Sequence, residues 1–511
     1  MRIVHPDKWL PCGGISLEEA ADTAVRCSDR HVLVIAGPGA GKTELLAQKA
    51  AFLFQTNQCK EPQKILAISF KTDAAQNLKE RVEKRCGEDV KGRFVSMTYD
   101  AFAKSILDHF LYALPDELRP VSNYLVNDSD TIDAAFRSLV YRNPCGFTPS
   151  RLKAEYDVIL SQVLFPLTGS EIGHRVWSLL LKGFNGHSAT LTFKMIMTLA
   201  MYIIKTNPYT KQSLQMTYSF VFLDEFQDTT AIQYAFIKEC FWGCSTKITA
   251  VGDNKQRIMV WAVAVKTIFK DIYNELNPIG VRLVMNHRSA PRLVALQKAM
   301  YESLKEKATD VCVSDSWNED DGSIALVIAD NEQLEATAVS EDILLKISDG
   351  VKPHDICILC KQKPQDYASS IIEELGKHDV RARIENDYQD LIKEPIVDLL
   401  IKFMVCADGR KHPNEWTFIE ESLIEFWGIS GAQERDAFDE MQRKLSALVD
   451  VVKKEIRQGV NAERWHSTLH SIIVFFGIGN IKAKFPAYKQ GTYFTNVITQ
   501  FEKLFFEEYI A

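Results

Sequence analysis

The stretch HVLVIAGPGAGKTE, residues 31–44, constrains the fold more than any other part of the chain. Val32 to Ile35 form an apolar run that predicts a strand. A turn rich in glycine follows, and Lys42 and Thr43 open a helix that continues through Leu45, Leu46 and Lys49. Such a turn aims backbone N–H groups and a helix N-terminus at an anion. Gly37, Gly39 and Gly41 are suited to it because a Cβ would block the close approach and the positive φ angles. The Lys42 ammonium can then reach terminal phosphates, and the Thr43 hydroxyl can take one coordination place on Mg²⁺. Ala36 stands where the strict G-x-x-x-x-G-K-T pattern has glycine, a small-for-small change. The run Ala36, Gly37, Pro38, Gly39, Ala40, Gly41, Lys42, Thr43 and Glu44 therefore reads as a nucleotide phosphate site.

Two more strand-like runs come next, KILAISF (64–70) and RFVSMT (93–98), each followed by a helix-like segment. Strands alternating with helices predict an α/β fold whose parallel sheet is covered on both faces. From about Lys104 to Met216 the alternation stops and the pattern is amphipathic helix, which reads as an insertion. The sheet resumes with YSFVFLDEFQD (218–228) and KITAVGD (247–253). A second α/β unit is expected from about Val281, with SIALVIAD (323–330), DICILCK (355–361) and VRARIE (380–385) as its strands. After about Ala407 the chain reads as helical. Its last helix carries Phe494, Val497, Ile498, Phe501, Phe505 and Tyr509 at 3–4 spacing, an apolar stripe expected to pack on its own domain.

Composition narrows the partners. With 60 Lys and Arg against 67 Asp and Glu, a contact with nucleic acid must come from local basic clefts, not from a global field. The 11 cysteines follow no framework spacing, which fits a reducing, cytoplasmic setting. Cys357 and Cys360 lie three apart in an expected strand, so they should face opposite ways and share no metal. No apolar run reaches the length of a membrane span.

Candidate chemistry sits at the ends of the later strands. Asp224 and Glu225 follow an apolar run directly. In a protein with a phosphate loop, the first would hold Mg²⁺ and the second would orient or deprotonate a water. Gln256, after the next strand, is suited to sensing a γ-phosphate or that water. Arg288, in NHRS, could neutralise charge on a transferring phosphoryl group.

Taken in order, AGPGAGKT, ILAISFKTDAAQNLKERV, SMTYDAFA, LDEFQD, VGDNKQRIMVW and NHRS resemble the UvrD/Rep type of superfamily 1 DNA helicase, from about residue 30 to 410. LDEFQD is the most specific piece, since Gln227 and Asp228 are not generic features of phosphate-loop proteins. The resemblance implies a P-loop NTPase with RecA-like sheets, 1A and part of 2A, and helical insertions, 1B and a partial 2B. Residues 1–103 and 217–280 would make 1A, 104–216 1B, 281–410 the first part of 2A and 411–511 a 2B-like region. It further implies an ATP- and Mg²⁺-dependent motor that walks 3′ to 5′ on single-stranded DNA, or on DNA with a single-stranded tail. His287 stands where that family stacks a tyrosine on adenine. Phe70, Tyr99 and Trp261 match its aromatic DNA-contacting positions, where a stacked base contributes about 1–3 kcal/mol.

Several positions depart from the family pattern. Glu19, or nothing, replaces the glutamine that reads adenine; Asp73 replaces a lysine; and Ala262–Val263–Ala264 replaces Arg-Gly-Ala. The family's later His-x-Ser/Ala-Lys-Gly-Leu-Glu stretch and its final arginine-bearing helix find no counterpart after residue 410. On this reading the chain should hydrolyse ATP feebly alone and need a protein partner, either the missing helicase half or a nuclease. The rival reading is a DNA-binding, nucleotide-sensing module that regulates such a partner.

Overall fold

Runs that are apolar at every position suit strands buried on both faces, and they form the central sheet. A computed structural model gives the fold and describes residues 3–87, 90, 92–139, 149–164, 168–257, 265–303, 311–428, 435–458, 462–485, 488 and 492–509. In chain order the strands are Val32–Ala36 (β1), Lys64–Ser69 (β2), Phe94–Thr98 (β3), Leu125–Val126 (β4), Thr190–Leu191 (β5), Tyr218–Leu223 (β6), Lys247–Gly252 (β7), Ile279–Leu283 (β8), Met285–Asn286 (β9) and Cys312–Val313 (β10). Six of them join in one parallel sheet, ordered β3-β2-β6-β7-β1-β8.

The period of two along each strand divides the core into two faces. Val32, Val34, Ile65, Ala67, Phe220 and Phe222 pack with the first three α-helices, Glu19–Arg26 (α1), Lys42–Gln55 (α2) and Thr72–Cys86 (α3). Leu33, Leu66, Ile68, Val221, Leu223 and Ala250 face the other way, onto Tyr99–His109 (α4) and the helices Phe193–Thr206 and Ala231–Phe241. The helical insertion shares that second core. Phe136 and Trp177 are buried in it, and Phe136 stacks on Tyr156 with ring centroids 3.9 Å apart.

The chain divides into two compact units, Met1–Ile324 and Ala325–Ala511. Three expectations for the region after residue 280 need correction. The run beginning at Val281 starts inside the first sheet: Val281 to Leu283 belong to β8, its edge strand, which pairs with β1 from Val32↔Ile279 to Ala36↔Leu283. Past Val284 the same run leaves that sheet, and β9 pairs in parallel with β10 in a two-stranded sheet of its own. Val281 and Leu283 extend the apolar face over α1 and α2, which gives β8 its place. The segments 323–330, 355–361 and 380–385 form no β-ladder among the described residues. A strand is a property of a pair, and without a paired neighbour several of their apolar side chains stay exposed: Leu326 and Ile328 are each 85% exposed and Leu359 91%. Cys357, expected inside a buried strand, is exposed too.

Within the second unit, helices Glu332–Ser348 and Ser369–Gly376 bury Ala336, Ile343, Ile371 and Leu375, with Ile356, Val380 and Ala382 against them. The helices from Pro395 onward share a separate core. The last one, Tyr493–Tyr509, buries Phe494, Val497 and Phe501 there, with Ile498 and Phe505 partly covered; the Tyr509 side chain lies outside the described residues. No helix among the described residues is long and apolar enough to cross a membrane.

One buried cation ties α2 to α1. Lys49 is 1% exposed, and its Nζ donates to the carbonyls of Ala24 and Cys27 at 2.6 and 2.5 Å, closing the C-terminal end of α1. Burial holds its pKa down at about 8. Replacing it with Met orphans two carbonyls, at a cost of about 1–3 kcal/mol. The unfolded chain keeps the Lys49 proton to higher pH than the folded one. The stability of the wild type relative to Lys49→Met should therefore rise from about pH 8 upward, by at most about 1.4 kcal/mol per pH unit. Urea denaturation of both proteins on either side of that pH measures the change.

Candidate functional site

Ile35 is in register with Gly252, and Leu223 with Ala250, so the carboxyl ends of β1, β7 and β6 lie side by side. The segments leaving those three ends share one cleft, as expected at the carboxyl edge of a parallel sheet. Gly37, Pro38, Gly39, Ala40, Gly41, Lys42, Thr43 and Glu44 line it, together with Arg81, Glu225, Gln256, His287 and Arg288. Ala36, the last residue of β1, is buried beneath the turn.

The loop is a left-handed turn feeding a helix. Gly39 and Gly41 have φ of 75° and 79°, and Gly41 caps α2, where Leu45 N donates to its carbonyl at 2.8 Å. Gly39 also permits a close approach. A Cβ there would lie 2.4 Å from Asn286 Oδ1 and 2.9 Å from Arg288 Cβ, and His287 N donates to the Gly39 carbonyl at 3.0 Å. Asn286 is buried, and its Oδ1 accepts from both Arg288 N and Ser289 N at 2.9 Å. The turn that carries His287 and Arg288 is thus pinned against the phosphate loop by a residue that spacing alone does not single out.

β6 delivers the acidic pair. Asp224 N still donates to Ile68 of β2 at 2.9 Å, continuing the ladder, whereas Glu225 turns out of the sheet with φ 47° and ψ 45°. A non-glycine residue in that region costs on the order of 1 kcal/mol or more, so its surroundings must hold it. Lys42 Nζ lies 3.2 Å from Glu225 Oε2 across the cleft. Asp224 is 2% exposed, and burial, reinforced by the neighbouring Glu225 charge, raises its pKa to about 6. After β7, Gln256 Nε2 donates to Asp253 Oδ2 at 2.8 Å. Glu44 accepts from Arg85 Nη2 at 2.5 Å, Arg85 Nε at 3.0 Å and Arg81 Nη1 at 3.3 Å. Arg81 and Arg85 sit one turn apart on α3, and the sequence alone gives no sign that this face meets the phosphate loop.

The aromatic positions separate. Phe70 follows the end of β2 and is half-buried. Tyr99 is 1% exposed and bonds Thr229 Oγ1 through its hydroxyl at 3.0 Å. It opens α4 on the core face, so the expectation that it stacks on DNA is corrected: no base can reach its ring. Trp261 and the Ala262–Val263–Ala264 departure lie outside the described residues. Glu19 is exposed at the start of α1.

The profile of the UvrD/REP helicase N-terminal domain matches residues 17–277, just over half of the chain. The chain belongs to the UvrD/Rep helicase family. Among its relatives, a protein of Mycoplasma capricolum named probable DNA helicase II homolog is 25% identical over 350 residues, covering 66% of this chain and 47% of that protein. The ATP-dependent DNA helicase PcrA of Staphylococcus epidermidis is 24% identical over 404 residues, 76% of this chain and 53% of the relative. DNA helicase II of Escherichia coli is 24% identical over 370 residues, 70% and 50%. The chain spans about half the length of the curated relatives it matches. The matched span of this UvrD/Rep-family chain contains the phosphate loop, the acidic pair and Gln256, and stops before the Asn286–Arg288 turn.

Gly39→Ala should set a Cβ against Asn286 and force a left-handed φ on alanine. At roughly 1–2 kcal/mol of strain, nucleotide affinity should fall about tenfold while the sheet stays folded. Titration with a fluorescent ATP analogue, beside circular dichroism, measures both.

Proposed function

We propose that this chain is an ATP hydrolase that drives movement along single-stranded DNA, a 3′-to-5′ translocase or helicase of the UvrD type. It would act in repair, recombination or anti-phage defence, beside a protein partner such as a nuclease. The observation that carries the reading is the convergence in one cleft of a phosphate loop, Lys42, Glu225, Gln256 and Arg288, with Asp224 buried next to Glu225 at the same strand end.

The roles follow from the chemistry of each group. The loop amides and Lys42 bind the β- and γ-phosphates. A phosphate that takes the Lys42 ammonium competes with Glu225, whose carboxylate, released from Lys42, can then orient the attacking water. Gln256 lies where it can report the terminal phosphate, and Arg288 supplies positive charge to the transferring group. His287 offers an imidazole face to the base, and Phe70 an aromatic face to a DNA base. The acidic pair fits Mg²⁺, since a buried carboxylate whose pKa is raised gains from a nearby dication. Thr43 and Asp224 would hold the ion, which when bound stabilises charge on the transferring phosphoryl group.

A second reading has its own support. Ala262 replaces the arginine of the family pattern, which favours a nucleotide-sensing module that binds DNA and regulates a partner. ATP turnover measured with and without single-stranded DNA separates the two. Stimulation by DNA supports the motor, and tight ATP binding with turnover indifferent to DNA supports the sensor. In the motor, Glu225→Gln should keep ATP binding and lower turnover about 10²- to 10⁴-fold; unchanged turnover would remove Glu225 from its role.

The raised pKa of Asp224 gives a pH dependence. Its carboxylate must be ionised to hold Mg²⁺, so affinity for magnesium–ATP should fall as pH drops below about 6, approaching about tenfold per unit. Calorimetric titration across that range, with Asp224→Asn as the control that loses the dependence, tests this.

A further inference from the structure

Gln227 is 2% exposed and lies in the 3₁₀ turn Phe226–Asp228, directly after the acidic pair. Its side-chain amide bridges two strand ends. Nε2 donates to Glu225 Oε2 at 2.8 Å, and Oε1 accepts from Asp253 N at 2.9 Å. Asp253 in turn holds Gln256 through Oδ2, while its Oδ1 accepts from Lys255 N at 3.0 Å. The seat for this amide is built into β7: a Cβ on Gly252 would lie 2.4 Å from Gln227 Oε1. Glutamine is suited to the place because it offers a donor at one end and an acceptor at the other. Glutamate would lose the donor, and methionine would lose both.

We propose that Gln227 is a positioning residue that ties the Glu225 carboxylate to the Asp253–Gln256 turn, so that the two strand ends answer the terminal phosphate together. The inference rests on the hydrolase reading above. Glu225 Oε2 is shared between Lys42 at 3.2 Å and Gln227. A phosphate drawing Lys42 away leaves Gln227 holding the carboxylate, and the strained left-handed backbone of Glu225 is one that its surroundings must hold.

Two variants separate the arms of the bridge. Gln227→Glu keeps an acceptor for Asp253 N and breaks the bond to Glu225, whereas Gln227→Met keeps the volume and breaks both. Both should lower ATP turnover about ten- to a hundredfold, with the Kd of a fluorescent ATP analogue within about twofold of wild type. Gly252→Ala, which displaces the amide without changing it, should do the same. Turnover within twofold of wild type, or turnover and ATP affinity falling in parallel, would overturn the proposal. Amide hydrogen exchange gives a readout that needs no hydrolysis: exchange at Asp253 should accelerate in Gln227→Met and stay slow in Gln227→Glu. A wild-type chain without turnover would sink the hydrolase reading alone. Equal Asp253 exchange in wild type and Gln227→Met would sink the bridge itself.

Discussion

The register of β6, β7 and β1 is the constraint on which the cleft depends. Parallel pairing brings three carboxyl ends to one edge, and the pairs Ile35↔Gly252 and Leu223↔Ala250 bring them there at nearly the same height. Each strand then leaves the sheet in its own way: β1 into a glycine turn, β6 into the left-handed Glu225, β7 into the 3₁₀ turn Asn254–Gln256. A slip of one residue on any strand would exchange its two apolar faces and carry its polar end group away from the others. The two cores enforce the register, because each strand fills both of them in alternation.

The packing that fixes those ends also sets their electrostatics. Asp224 is still bonded into the ladder and so stays buried, and its carboxyl is held above its ordinary range. Glu225, one residue on, has left the ladder and reaches Lys42. Two adjacent carboxyl groups thus acquire different environments from a single change of backbone direction. In the hydrolase proposed above, that difference would divide the labour between holding a cation and directing a water.

Much of this was legible in the sequence, and the parts that were not share a physical cause. The glycine-rich loop, the acidic pair and Gln256 each lie at a strand end or within the few residues beyond it, so their placement at one sheet edge follows from local pattern. Gln227, Asn286, Arg81 and Arg85 bond to neighbours distant in sequence or across a turn, and those contacts exist only once the sheet is assembled. Tyr99 misled because the residue after a strand end also opened a helix, and the helix turned that face into the core. Leu326, Ile328 and Leu359 misled for the opposite reason. An apolar run states what a strand would bury, but pairing requires a neighbour that the run itself does not specify.

Several charged and polar groups of the cleft pair with one another. Lys42 pairs with Glu225, Glu44 with Arg81 and Arg85, and Gln256 with Asp253. A nucleotide entering such a site exchanges partners, and part of its binding energy is spent on breaking internal contacts. The exchange has a direction. On the proposed reading a phosphate would compete for Lys42 and displace Glu225 from it, while the Gln227 bond to Glu225 could stay in place. A group released at one end and retained at the other is reoriented rather than freed. The same ion pair that opposes binding would then convert the arrival of phosphate into a movement of the carboxylate, and the β7 turn lies one amide away from it.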